Sequence, residues 1–126
     1  MSKKILIIDD DPSAEALARM LLETEGYEVA SEDDAPGGIK KAEEYVPDLA
    51  IVDLMLPSGH GFAVCEKIKS MANLSATRIL VCSAKAYSQD IEGAKDAGAD
   101  DYLTKPYKND DLLGKVKTLL SASPAA

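Results

Sequence analysis

A chain of 126 residues, 46% of them apolar, is long enough to bury one core, too short for two, and too apolar to stay disordered. Its net charge of −8, from 22 acidic against 14 basic residues, repels phosphate backbones and anionic lipid, which argues against direct contact with nucleic acid or a membrane surface. After Met1-Ser2-Lys3-Lys4 only the short apolar run Ile5 to Ile8 follows, too little for a signal-peptide core, and no stretch reaches transmembrane length. A soluble, cytoplasmic protein is expected.

Ile5-Leu6-Ile7-Ile8 is a continuous apolar run of the kind buried on both faces of a parallel sheet. Asp11-Pro12 then offers a helix N-cap with proline at the first helical position. Ala14, Leu17, Ala18, Leu21 and Leu22 repeat at helical spacing until Gly26 ends the helix. A second strand is predicted around Tyr27 to Ala30. Pro36-Gly37-Gly38 is a poor opening for the next helix, although Ile39, Ala42 and Val46 keep a helical stripe until Pro47 stops it. Leu49-Ala50-Ile51-Val52 forms a third strand that ends in Asp53. The glycine-rich loop Ser58-Gly59-His60-Gly61 leads into a helix carrying Phe62, Cys65, Ile68 and Ala72.

Ile79-Leu80-Val81-Cys82 is the fourth strand and ends at Ser83. Ile91 and Ala94 mark a shorter helix, closed near Gly98. A brief strand around Tyr102-Leu103 ends at Lys105-Pro106, and the last helix holds Leu112, Leu113, Val116, Leu119 and Leu120. Strands alternating with helices predict an α/β fold, a doubly wound five-stranded parallel sheet with five helices, in one domain over residues 1–120. Residues 121–126 are expected to be a frayed tail or linker stub. The two cysteines, Cys65 and Cys82, fit no metal spacing and no disulfide framework, and read as small buried hydrophobes in a reducing compartment.

In open parallel sheets, ligands bind outside the carboxyl ends of the strands. The residues expected there are Asp9 and Asp10, then Asp53, Ser83 and Lys105. Carboxylates gathered so closely repel, and a hard divalent cation with oxygen ligands would offset them. Each residue also has a bland explanation. Asp10 or Asp11 could simply cap a helix, Ser83 could bond its own backbone, and Lys105 could be a solvated surface lysine. Asp53 is harder to dismiss, because a charge after a buried strand lacks an obvious structural partner. A metal, an ammonium and a hydroxyl donor around a carboxylate form a sufficient set for phosphoryl transfer.

The segments Ile5 to Asp11, Pro47 to Gly61, Ile79 to Ala84 and Gly98 to Tyr107 resemble the response-regulator receiver family, in particular its single-domain chemotaxis regulators. The resemblance implies the flavodoxin-like topology and a phosphorylation switch in a two-component or phosphorelay system. It implies Asp53 as phospho-acceptor, Asp9 and Asp10 with Asp53 as Mg²⁺ ligands, and the Met55 backbone carbonyl completing the metal shell. It makes Ser83 the switch hydroxyl, Tyr102 the switch aromatic, expected to turn from exposed to buried, and Lys105 the phosphate-binding lysine before a cis bond to Pro106. Met55 and Lys85 match the positions that flank the water attacking the phosphoryl group, and an apolar Met55 implies slow self-dephosphorylation. The implied partners are a histidine kinase or histidine phosphotransfer protein and a downstream effector protein. The implied state is a monomer or a weak phosphorylation-dependent dimer.

There are two departures from the family. It often carries Asp-Gly where this chain has His60-Gly61, so the third helix is expected to be capped differently, with His60, the only histidine, as an exposed loop residue. The Pro36-Gly37-Gly38 opening is also unusual. Two other functions compete. Asp9-Asp10-Asp11 also fits the Asp-x-Asp nucleophile motif of haloacid-dehalogenase-like phosphatases, with Asp9 as nucleophile. That reading leaves Asp53 unexplained and puts Asp100-Asp101 on the wrong side of Lys105. A receiver that only docks and is never phosphorylated usually lacks the acidic pair or the acceptor, and this chain has both.

Overall fold

The computed structural model describes residues 2–57, 59–84 and 87–121; Met1, Ser58, Lys85, Ala86 and residues 122–126 lie outside the described residues. Strands β1 (Lys4–Ile8), β2 (Glu28–Glu32), β3 (Leu49–Val52), β4 (Arg78–Ser83) and β5 (Asp101–Thr104) alternate with helices α1 (Pro12–Thr24), α2 (Ala35–Tyr45), α3 (Gly61–Ser70), α4 (Ser88–Asp96) and α5 (Asn109–Ser121). All neighbouring strands pair in parallel, in the order β2-β1-β3-β4-β5. The order reverses beside β1, which puts the crevice for ligands at the carboxyl ends of β1 and β3. This is the doubly wound, flavodoxin-like sheet that the alternating pattern predicts. No helix among the described residues is long and apolar enough to cross a membrane.

Successive side chains of a strand point to opposite faces, and the apolar runs divide accordingly. Leu6, Ile8, Ala50, Val52, Ile79 and Val81 face a core completed by Ala42 of α2, Val64, Cys65 and Ile68 of α3, and Ala94 of α4. Ile5, Ile7, Leu49, Ile51, Leu80 and Cys82 face the other, completed by Ala18 and Leu22 of α1 and Leu112, Val116 and Leu119 of α5. Strands covered on both sides need no polar alternation, which is why the sequence shows unbroken apolar runs.

The Asp11 side chain caps α1 as predicted, accepting from the N–H groups of Ser13 and Ala14 at 3.0 and 3.4 Å, with Pro12 in the first turn. Leu17, by contrast, is exposed and stands outside the buried stripe. The poor opening expected of α2 is repaired by Asp34, whose carboxylate accepts from the Gly37 N–H at 2.8 Å. Val46 does not extend that helix. It takes the left-handed conformation (φ 49°) beyond the last turn and is exposed. Ala72 is likewise outside α3, in a short 3₁₀ turn (Ala72–Leu74) that buries Leu74 instead. Ile91 of α4 is exposed, so Ala94 alone anchors that helix inward.

Gly38 reveals why α2 tolerates its glycines. A Cβ there would stand 2.7 and 2.8 Å from Ile8 Cδ1 and Cγ2, and Ile8 is fully buried in the core. Helix propensity alone favours alanine by about 1 kcal/mol, whereas overpacking a closed core costs about 1–3 kcal/mol. Gly38→Ala is therefore expected to lower Tm by several degrees. A Tm at or above that of the parent would show that α2 can shift away from β1 at little cost.

Candidate functional site

Parallel pairing brings the strand ends together. Ile8 is in register with Val52, and the Asp53 N–H donates to the Ile8 carbonyl at 3.0 Å, so Asp9 and Asp53 leave adjacent strands side by side. On the other flank Ser83 is in register with Thr104, and the Lys105 N–H donates to the Ser83 carbonyl at 2.8 Å. The Lys105 side chain then reaches back across the edge. Its ammonium donates to Asp9 Oδ2 at 2.6 Å and to Asp53 Oδ2 at 3.0 Å. The second oxygens are held too: Asp9 Oδ1 accepts from the Asp11 N–H and Asp53 Oδ1 from the Met55 N–H, both at 2.9 Å.

Asp9 and Asp53 are buried, at 9% and 8% exposure, while Asp10 is exposed beside them. One carboxylate oxygen from each of the three lies within 4.8 Å of the others. Burial pushes the Asp9 carboxyl above its ordinary range despite its bond to Lys105, and the charge of Asp53 adds to the rise. Burial works to depress Lys105, but the hydrogen bonds to Asp9 and Asp53 outweigh it and hold the ammonium protonated well above its ordinary value. Asp9 rises because burial outweighs the help of Lys105, and Lys105 rises because two carboxylates share its one charge, which leaves the group with a surplus negative charge.

Ser83 is fully buried, and its hydroxyl bonds the Tyr102 phenol. Burial raises the Tyr102 phenol above its ordinary value in spite of that bond. Tyr102 is already partly buried and packed against the core, which corrects the expectation that it starts exposed. The Lys105–Pro106 bond is cis, as the resemblance implied. Both cysteines are buried, with thiols pushed up to about 12 by burial, so they are unreactive packing groups.

The loop after Asp53 holds details the sequence reading missed. Met55–Leu56 and Gly59–His60 form a small antiparallel ladder where a plain loop was expected. The Gly61 N–H donates to the Leu54 carbonyl at 3.0 Å, and a Cβ on Gly61 would come within 2.5 Å of the Asp53 carbonyl oxygen. Only glycine lets α3 start that close to the loop after Asp53. His60 is exposed as expected and is also the α3 cap, its Nδ1 accepting from the Phe62 N–H at 3.1 Å. The same nitrogen position would be a carboxylate oxygen in the family's usual Asp-Gly. A cavity of about 370 Å³ beside Asp9 and Asp10 is bordered by Glu15, Glu32 and Asp33. The acidic run Glu32-Asp33-Asp34 was the available signal for that wall.

Residues 5–117 match the response regulator receiver domain family. The chain is 40% identical over 117 residues to the DNA-binding dual master transcriptional regulator RpaA of Synechocystis sp., an alignment covering 93% of this chain and 48% of that protein. It is 37% identical over 126 residues to the alkaline phosphatase synthesis transcriptional regulatory protein PhoP of Bacillus subtilis, covering 100% of this chain and 52% of that one. It thus spans about half the length of the curated relatives it matches. A CheY-like response regulator receiver domain protein from Methanospirillum hungatei superposes with a TM-score of 0.90 at 33% identity, over 95% of this chain and 94% of that one. The chemotaxis response regulator CheY4 of Vibrio cholerae also gives 0.90, at 25% identity, over 94% and 99%. With its strand order, its acidic strand ends and these likenesses, the chain belongs to the response-regulator receiver domains, the phosphorylation-dependent switches of two-component signalling.

Proposed function

We propose that Asp53 accepts a phosphoryl group from a histidine kinase or histidine phosphotransfer protein, and that Ser83, Lys105 and Tyr102 convert this event into a changed partner surface. The observation that carries the reading is the sharing of one ammonium by Asp9 and Asp53, with an Asp10 oxygen within 4.8 Å. The hard oxygen donors of Asp9, Asp10 and Asp53 suit Mg²⁺, with the Met55 carbonyl as a further ligand. When bound there, Mg²⁺ supplies positive charge against the phosphoryl oxygens during transfer.

The Asp53 carboxylate is the nucleophile: its oxygen forms the new bond to phosphorus as the bond to the donor breaks. Lys105, already held between Asp9 and Asp53, turns to a phosphoryl oxygen. The Ser83 hydroxyl exchanges Tyr102 for another, which draws in the loop after β4 and lets Tyr102 sink further. Moving such an equilibrium from 1:99 to 99:1 takes about 5.5 kcal/mol, within reach of a few charge-assisted hydrogen bonds. Transfer and self-hydrolysis both take place on this chain's own residues, in the cytoplasm. The net charge of −8 favours protein partners over nucleic acid. The chain acts as a monomer or a weak phosphorylation-dependent dimer. Membership of the receiver family removes the case for Asp9 as a phosphatase nucleophile, and the complete acidic set argues against a purely docking receiver.

Asp53→Asn keeps the shape and loses the nucleophile. It is expected to fold as the parent does yet take up no label from acetyl phosphate in Mg²⁺, and excess EDTA should abolish labelling of the parent. Labelling at unchanged stoichiometry in the variant would reject Asp53.

Lys105→Met leaves Asp9 and Asp53 buried without their cation. The loss expected at pH 7 is about 2–4 kcal/mol by urea denaturation. Because the folded Asp9 pKa is raised above the ordinary 3.8, the folded state binds that proton more tightly than the unfolded chain. Asp9 therefore costs stability above this window and costs less as pH falls into it. Lys105 is what holds the Asp9 carboxyl down against burial, so in the variant Asp9 binds its proton more tightly still, and the deficit should shrink as pH falls from 7. In the parent the raised Lys105 pKa has the opposite reach: its contribution is complete below the ordinary 10.5 and fades only in strong alkali. A deficit independent of pH would mean that packing of the lysine stem, not its charge, sustains the site.

A further inference from the structure

Methionine thioethers exposed to solvent are oxidised by peroxides, and the product is a different kind of side chain. Met55 is 56% exposed and Met20, on α1, is 57%. Met55 differs from Met20 in position. Its N–H donates to Asp53 Oδ1 at 2.9 Å, so its side chain starts beside the acceptor carboxylate and hangs from that anchor by three freely rotating bonds. As a thioether it is apolar and a weak acceptor, and offers an attacking water nothing to bind.

We propose that Met55 is a redox modification site: peroxide converts it to the sulfoxide, which shortens the life of the phosphoryl group on Asp53. The inference rests on the reading of Asp53 as acceptor. The sulfur donates a lone pair to one oxygen of hydrogen peroxide, the O–O bond breaks, and the departing hydroxide takes the proton from the new S–OH group and leaves as water. Sulfur is oxidised by two electrons and peroxide is reduced. The sulfoxide oxygen is polar and accepts hydrogen bonds, so it holds and orients a water beside Asp53 where the thioether offers that water no partner. Met20 undergoes the same chemistry with no acceptor nearby.

The test follows acetyl phosphate labelling of the full chain in Mg²⁺ before and after treatment with hydrogen peroxide, with sulfoxide at each methionine quantified by peptide mass spectrometry. The expected result is a phosphoryl half-life about three- to tenfold shorter in the oxidised parent, restored by methionine sulfoxide reductase. Met20→Leu should respond as the parent does. Met55→Leu, whatever its own starting half-life, should give the same value before and after peroxide. Met55→Gln, which carries a polar oxygen at similar reach, should be short-lived without oxidant. An unchanged half-life when Met55 is fully oxidised, or a peroxide response that survives in Met55→Leu, overturns the proposal. Failure of the unoxidised parent to take label at all would instead overturn the acceptor reading beneath it.

Discussion

Taking a carboxylate out of water costs several kcal/mol, and placing a second beside it adds repulsion that a low-dielectric site screens poorly. Asp9 and Asp53 are both buried at neighbouring strand ends, and Lys105 lies within hydrogen-bonding distance of each. That shared ammonium ties the end of β5 to the ends of β1 and β3, elements distant in sequence. It also leaves the site one positive charge short, which is the condition for binding a further cation. A fully neutralised cluster would be more stable and would have no use for metal.

The sheet makes this arrangement affordable. Its strands are covered on both faces by two separate apolar clusters, so the backbone at the carboxyl edge is held rigidly from either side. Carboxylates on flexible loops would move apart to relieve their repulsion. Here the Asp53 N–H is fixed to the Ile8 carbonyl and the Lys105 N–H to the Ser83 carbonyl, and α3 is pressed against the loop after Asp53 through Gly61. The carboxylates are held in place, and Lys105 between them offsets their repulsion.

In this state every candidate switch group is already engaged. Lys105 is bound to Asp9 and Asp53, and the Ser83 hydroxyl to Tyr102. A new anion at Asp53 would therefore compete for existing hydrogen bonds, and the free energy of switching is the difference between the two sets. Tyr102 is partly buried from the outset, so any inward movement would deepen its burial rather than turn it in from solvent. His60 in place of the usual acidic cap keeps one negative charge away from the loop that precedes α3 while still satisfying the Phe62 N–H.

The α/β alternation, the five strands and the group Asp9, Asp10, Asp53, Ser83 and Lys105 were legible in the sequence by itself. Buried parallel strands write themselves as unbroken apolar runs, and a charge that ends such a run has few structural excuses. The cap at Asp11 was legible for a similar reason, since its acceptors are two and three residues away. What depends on contacts between distant segments was not. The sequence could not show that Lys105 bridges two carboxylates 96 and 52 residues away, or that Gly38 exists to admit Ile8. Leu17, Val46, Ala72 and Ile91 fit the helical period, yet two of those positions lie beyond the helices and two face outward. Periodicity records which residues could share a face. Only the packing of a neighbouring element against that face decides which of them are covered.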